Sequence, residues 1–326
     1  MKLATLNANG LDGRLIVVNR VLTRAAFADT TAQTLQAALD DWHTVLPALL
    51  AQYESLNNGQ CEGFPLAVDE LMAPLPRAYQ WLDGSAYLSH VKRVRRARGA
   101  EMPPSFIQDP LMYQGGSDSF LGAEETIYAS KEEWGIDFEA EIAVITGDVP
   151  LGITAGQAGE CIKLLMLVND VSLRNLIPNE LAKGFGFLNG KPSSAFSPVA
   201  VTPDELGDSW RDSKVHLPLS VKWNENLCGR ANAGVDMQFN FAELISHAAK
   251  TRRLAAGTIL GSGTVSNNDL SKGYSCIVEK RVLEIIENGE ASTSFMRFGD
   301  RIRIEMLDEN GASIFGAIDQ DVQKCD

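Results

Sequence analysis

The residues whose type and spacing best suit chemistry are acids. In the segment IDFEAEIAVI (136–145), strand alternation puts Ile136, Phe138, Ala140 and Ile142 on one face and Asp137, Glu139 and Glu141 on the other. Glu139 and Glu141 then stand about 7 Å apart along the backbone, close enough for both carboxylates to reach one cation. Apolar residues continue through Val144 and Ile145, which makes the strand at least half-buried. Acids in such a place are costly unless a metal or a base neutralises them. The competing reading is an exposed strand face carrying solvated charge. A third acid, Asp170, follows the apolar run 164–168, at a strand end that suits either a functional side chain or the cap of the next turn. Glu139, Glu141 and Asp170 together form a hard, all-oxygen set suited to Mg2+, Ca2+ or Mn2+. No His or Cys pattern beside them favours zinc.

Among the four histidines, His90 shares a helical face with Tyr87, Val91 and Val94. From its surroundings alone it reads more readily as a core residue than as a base. His43, His216 and His247 have no acidic motif beside them and read as structural or exposed. Lys92, Arg93, Arg95, Arg96 and Arg98 form a basic run that reads as a solvated helix face, with Arg98 a candidate for a substrate carboxylate. The glycines at 115–116 and in Gly261-Ser-Gly-Thr264 lack the Lys-Ser/Thr of a phosphate loop and read as turns that let backbone approach a small ligand.

The elements that must position these residues are mostly strands. Residues 2–23 alternate short apolar runs with Asn-Gly and Asp-Gly turns, a small hairpin unit. Leu35, Leu39, Trp42, Leu46, Leu49 and Tyr53 then recur at helical steps until Asn57-Asn58-Gly59 ends the pattern. Residues 1–75 are expected to form a small N-terminal domain and 76–326 a β-rich catalytic domain, an α+β arrangement without the pattern of a doubly wound nucleotide-binding sheet. Asp308-Glu309-Asn310-Gly311, between two strand-like runs, is a hairpin signal.

A formal net charge of −13 argues against broad attraction to nucleic acid or an anionic membrane. No apolar run approaches the ~18 residues of a membrane helix, and the first residues lack the apolar stretch of a signal peptide. The five scattered cysteines form no C-x-x-C pair, so neither a disulfide framework nor a zinc site is expected, and a cytoplasmic setting fits.

Over roughly residues 80–320 the chain resembles fumarylacetoacetate hydrolase and its bacterial relatives. The matching pieces are DFEAEIA (137–143), NDVSLR (169–174), FLNGK (187–191), GSGTVS (261–266) and FGDRIRIE (298–305), in order. The resemblance implies a mixed β-sandwich roll with a small N-terminal α/β domain. It assigns Glu139, Glu141 and Asp170 as metal carboxylates, with Mg2+ the first choice of ion. Asp83, seven residues before His90, becomes a fourth ligand and His90 the base. Glu279 becomes the acid that orients His90, and Arg174 and Lys191 the cations facing developing negative charge. Tyr113 and Thr264 match positions close to substrate or metal. The family commonly continues N-D-x-S-x-R-D-x-Q where this chain has Asn175 and Ile177, which removes one substrate hydrogen bond.

The implied activity is hydrolytic carbon–carbon cleavage of a small β-diketo acid of fumarylacetoacetate, fumarylpyruvate or acylpyruvate type, in a homodimer. Decarboxylation, isomerisation or hydration of related oxo-acids on the same fold is the first alternative. A non-catalytic metal- or ligand-binding protein is the second.

Overall fold

The computed structural model of the chain describes residues 1–8, 10–97 and 104–325. Among these the larger sheet has eleven strands. From one edge it runs through Phe64–Pro65, Arg24–Phe27, Arg14–Val18, Lys2–Leu6, Ala200–Val201, Ile162–Asn169, Ala140–Thr146, Ile259–Gly261, Trp81–Gly84 and Met112–Gly115. Ala195–Phe196 also pairs with Ile162–Asn169. Neighbouring strands are antiparallel except for Ile259–Gly261, which lies parallel to Trp81–Gly84. The smaller sheet orders Asn226–Asn232, Pro218–Trp223, Arg301–Met306, Ile318–Lys324 and Ile127–Ala129. The architecture is sheet-rich α+β.

The larger sheet is apolar on both faces. Along Ala140–Thr146, Ile142 and Val144 join one hydrophobic cluster with Leu219, Val221, Ile302 and Ile304 of the smaller sheet. Ala143 and Ile145 join another, with Leu39, Leu49 and Tyr53. Every residue of Ala140–Thr146 is buried, so this strand is covered on both sides rather than half-exposed. That is the physical setting in which an acid on the strand must find a partner.

The N-terminal segment is part of the same sheet. Lys2–Leu6 pairs with Ala200–Val201, and the buried amino group of Met1 donates to Thr202 Oγ1 and lies 3.0 Å from Glu205. The helical stretch expected over 35–53 is two helices, Leu35–Asp40 and Trp42–Asn57, because Asp41 leaves helical geometry at φ −128°, ψ 38°. Asp308–Gly311 does form a tight turn, with Asp308 N donating to Ala312 O. It closes only a single bridge, Leu307 to Ser313, and the returning strand begins at Ile318. The five cysteines are free thiols.

Candidate active site and metal centre

Five adjacent strands of the larger sheet, from Ile162–Asn169 to Met112–Gly115, build one site. Glu141 lies on Ala140–Thr146 opposite Val168, and Asp170 directly follows Ile162–Asn169. Asp83 on Trp81–Gly84 is in register with both Gly261 and Tyr113. Gly261 is required there, because a Cβ at this position would lie 2.4 Å from Asp83 Oδ1. Gly263 adopts φ +76°, and its amide donates to Asp83 Oδ1 at 3.1 Å. These glycines let backbone close around the acid.

Asp83, Glu141 and Asp170 are buried, and each offers an oxygen within 4.8 Å of the others. Asp170 is well partnered, accepting from Tyr113 OH at 2.7 Å, Ser194 Oγ at 2.7 Å and Lys191 Nζ at 2.5 Å. Glu141 is the opposite case. As a carboxylate, neither of its buried oxygens meets a donor among the described residues. Burial, followed by the charges of Asp83 and Asp170, pushes Glu141 well above the usual carboxyl range. Burial and Asp170 do the same to Asp83. Two facing acids that carry only acceptors stay together through a shared proton or a cation. Three convergent carboxylates with an orphaned pair of oxygens therefore fit a hard divalent cation.

Glu139 stands beside this cluster with its oxygens turned elsewhere. Oε1 accepts from Arg174 at 2.6 Å and Oε2 from Lys191 at 2.6 Å. Burial raises its pKa, but Arg174 and Lys191 outweigh that and hold Glu139 far below the usual range. Lys191 Nζ thus bridges Glu139 and Asp170. Burial works against its charge, and the two acids reverse that and raise its pKa.

Asp137 departs from the alternation expected of it. The strand breaks after Asp137 and resumes at Ala140, and Asp137 points to the N-terminus of the helix Ile277–Asn288. It accepts from Ile277 N at 2.7 Å and Val278 N at 3.0 Å, and from Arg174 Nε at 2.8 Å. One buried acid therefore holds both Arg174 and the helix that carries Glu279.

His90 projects from the helix Leu88–Ala97 into the same pocket, and its Nδ1 lies 3.3 Å from Glu279 Oε2. Burial raises the Glu279 pKa, but the hydrogen bond and charge of His90 and the charge of Arg93 bring it below its usual value. Arg93 corrects one expectation. Instead of lying on a solvated face it docks inward, donating to Glu279, to Ser266 Oγ at 3.0 Å and to Asn267 O at 2.6 Å. Its composition signalled only a charged helix. The inward turn follows from the helix packing on Ile277–Asn288.

The pocket has a volume of about 210 Å³ and is lined by Asp83, His90, Tyr113, Glu139, Glu141, Arg174, Lys191 and Thr264, among others. Arg98 lies outside the described residues. His43 is exposed, His216 is half-buried away from the pocket, and His247 faces Asp109 at 3.4 Å. Sequence reasoning missed Ser194, which has no motif around it, and the anchoring role of Asp137.

The profile of the fumarylacetoacetate hydrolase C-terminal domain matches residues 80–323, and that of fumarylacetoacetase N-terminal domain 2 matches residues 1–77. The chain belongs to the fumarylacetoacetate hydrolase family. It is 30% identical over 159 residues to the 2,4-didehydro-3-deoxy-L-rhamnonate hydrolase of Sphingomonas sp. strain SKA58, a match covering 48% of this chain and 53% of that protein. The chain thus spans about half the length of that relative. It is 25% identical over 260 residues to the oxaloacetate tautomerase YisK of Bacillus subtilis strain 168, covering 78% of this chain and 76% of that one. The crystal structure of maleylpyruvate hydrolase from Sphingobium sp. SYK-6, in complex with manganese(II) and pyruvate, shares the fold. Its TM-score is 0.68 over 100% of both chains, at 17% identity. No helix among the described residues is long and apolar enough to cross a membrane.

Proposed function

We propose that this chain is a divalent-cation-dependent hydrolase that cleaves a carbon–carbon bond in a small β-diketo acid, of fumarylacetoacetate, fumarylpyruvate or acylpyruvate type. The observation that carries the reading is the His90–Glu279 pair opening onto the same small pocket as the carboxylate cluster. Asp83, Glu141 and Asp170, with Glu139 alongside, would hold the cation, and Mg2+ is our choice because the set is all-oxygen. When bound, such an ion supplies polarisation of the substrate's oxo groups and fixes their orientation.

The chain's own residues do the rest. Glu279 accepts the Nδ1 proton of His90, which leaves Nε2 as the basic atom. His90 takes a proton from water as the water oxygen bonds to the carbonyl carbon remote from the acid. Arg174 and Lys191 are pre-oriented by Asp137, Glu139 and Asp170, and they face the oxyanion that develops. The carbon–carbon bond then breaks with its electron pair on the departing oxo-acid enolate, which recovers the proton from His90. The products are a carboxylic acid and an oxo acid, a 2-oxo acid from an acyl- or fumarylpyruvate and a 3-oxo acid from a fumarylacetoacetate. Tyr113 stays a neutral phenol, because burial and Asp170 raise its pKa, and it holds Asp170 in place.

The test is a panel of acylpyruvates and fumarylpyruvate with Mg2+, following loss of enol absorbance with and without chelator. Oxaloacetate serves as the contrast, since the resemblance to an oxaloacetate tautomerase supports enolate chemistry without cleavage as the second reading. Two carbon fragments support the hydrolase. Enol–keto exchange or carbon dioxide alone replaces it with the second reading, and cation binding without turnover leaves a binding protein. A homodimer in the cytoplasm belongs to the same proposal and is checked by light scattering and fractionation.

A further inference from the structure

The pocket has two chemically different groups of lining residues. One is the charged set just described. The other is apolar: Val91 and Val94 from the helix Leu88–Ala97, Ile177 and Leu181 from the helix Ile177–Leu181, and Phe187. Val91 and Val94 follow His90 by one and four residues, so they continue along the helix from the base. Phe187 packs edge-on against Tyr113 with ring centroids 5.0 Å apart, which ties this wall to the floor of the site.

Charge distribution sharpens the contrast. Apart from His90, the cations among the described lining residues are Arg174 and Lys191, and both lie at the charged end beside Glu139. Arg174 is shared by Asp137 and Glu139, and Lys191 by Glu139 and Asp170. A second carboxylate at the far end of a substrate would meet Val91, Val94, Ile177, Leu181 and Phe187 without a donor from them, and would lose its hydration for nothing. An alkyl or aryl group would bury against the same surface with a gain of about 0.8 kcal/mol per methylene, about four-fold in rate or affinity.

We propose that Val91, Val94, Ile177, Leu181 and Phe187 form a specificity subsite for an apolar tail, so that the substrate class is a monocarboxylic 2,4-dioxo acid with an alkyl or aryl acyl group rather than a fumaryl or maleyl dicarboxylate. This rests on the hydrolase reading above for its chemistry, but not for its binding.

The experiment compares kcat/KM with Mg2+ for acetyl-, butanoyl- and hexanoylpyruvate against fumarylpyruvate. The expected result is a rise of about four-fold per methylene over the first additions, with fumarylpyruvate at least tenfold below hexanoylpyruvate. Leu181→Arg, at a position 43% exposed where a long side chain is tolerated, should narrow or invert that ratio by at least tenfold, as should Val94→Arg. A flat chain-length series, or a wild-type preference for fumarylpyruvate, overturns the subsite. If no diketo acid is cleaved, the hydrolase reading fails on its own. The subsite is then read by calorimetry with Mg2+ and 2-oxo acids from pyruvate to 2-oxooctanoate. Affinity climbing with chain length upholds it, and equal affinities or no binding overturn it.

Discussion

His90 and the acids around it invite separate tests of chemistry and of ion binding. If His90 is the base, His90→Ala should lower kcat by roughly 10²–10⁴-fold. It should leave the thermal shift produced by Mg2+ or Mn2+ unchanged, because its ring is held by Glu279 and not by the cluster of Asp83, Glu141 and Asp170. Those acids should in turn show themselves through pH. Asp83 is raised above its usual value by burial and the charge of Asp170, and Glu141 by burial and the charges of Asp83 and Asp170. A carboxyl raised in the folded state contributes stability that is full below its unfolded pKa of about 4 and lost as pH rises through the folded value. Denaturant titrations of the chelated protein from about pH 4 upward should therefore show a falling contribution from this pair. Mg2+ should restore stability by a margin that widens with pH. Asp83→Asn combined with Glu141→Gln should flatten both trends, and an unaltered slope in that variant would assign the effect to other groups. Glu139, held low by Arg174 and Lys191, acts with the opposite sign and loses its contribution only as pH falls below the ordinary carboxyl range.

The helix Ile277–Asn288 and the short strand at Asp137 behave as one positioning device. Asp137 accepts from the first two amides of that helix and from Arg174, so it positions both Arg174 and the helix whose Glu279 meets His90. Asp137→Ala removes one partner of a buried ion pair and a helix cap together. A loss of about 3–5 kcal/mol is expected, read as a lowered denaturant midpoint. Gly261→Ala tests the neighbouring strand. Its Cβ would press on Asp83 Oδ1 and on the Trp81 ring, 2.4 and 2.5 Å away, so the variant should fold with weakened Mg2+ affinity. Undiminished ion binding in Gly261→Ala would separate Asp83 from the metal centre.

Across the molecule, the N-terminal segment covers one face of the sheet that carries the site. Leu3, Leu15, Val17, Leu49 and Tyr53 share a buried cluster with Ile145, Leu164, Met166, Val168 and Phe196. Lys2–Leu6 also occupies the edge of Ala200–Val201. A fragment beginning at residue 78 would expose that cluster and an unpaired strand edge, and should aggregate and bind hydrophobic dyes. A monodisperse fragment with one cooperative melt would show that the segment is dispensable for folding.

Much of the site was legible in the chain because it lies in short, ordered motifs. The acids of 137–141, the Asn-Asp at 169–170 and the family pattern running to Glu305 lead to the right fold, to Glu139, Glu141, Arg174, Lys191 and Thr264 around one pocket, and to Asp170 beside Asp83 and Glu141. Strand alternation could not divide the acids among partners. It placed Asp137, Glu139 and Glu141 on one face, whereas a break at 138–139 sends Asp137 to a helix N-terminus 140 residues away in sequence. Likewise Arg93 reads locally as surface charge and becomes a partly buried partner of Glu279 only once two helices pack. Local pattern determines which residues are acidic, apolar or able to turn. Which acid meets a cation, which an amide and which only other acids depends on contacts distant in sequence, and those exist only when the sheet has closed.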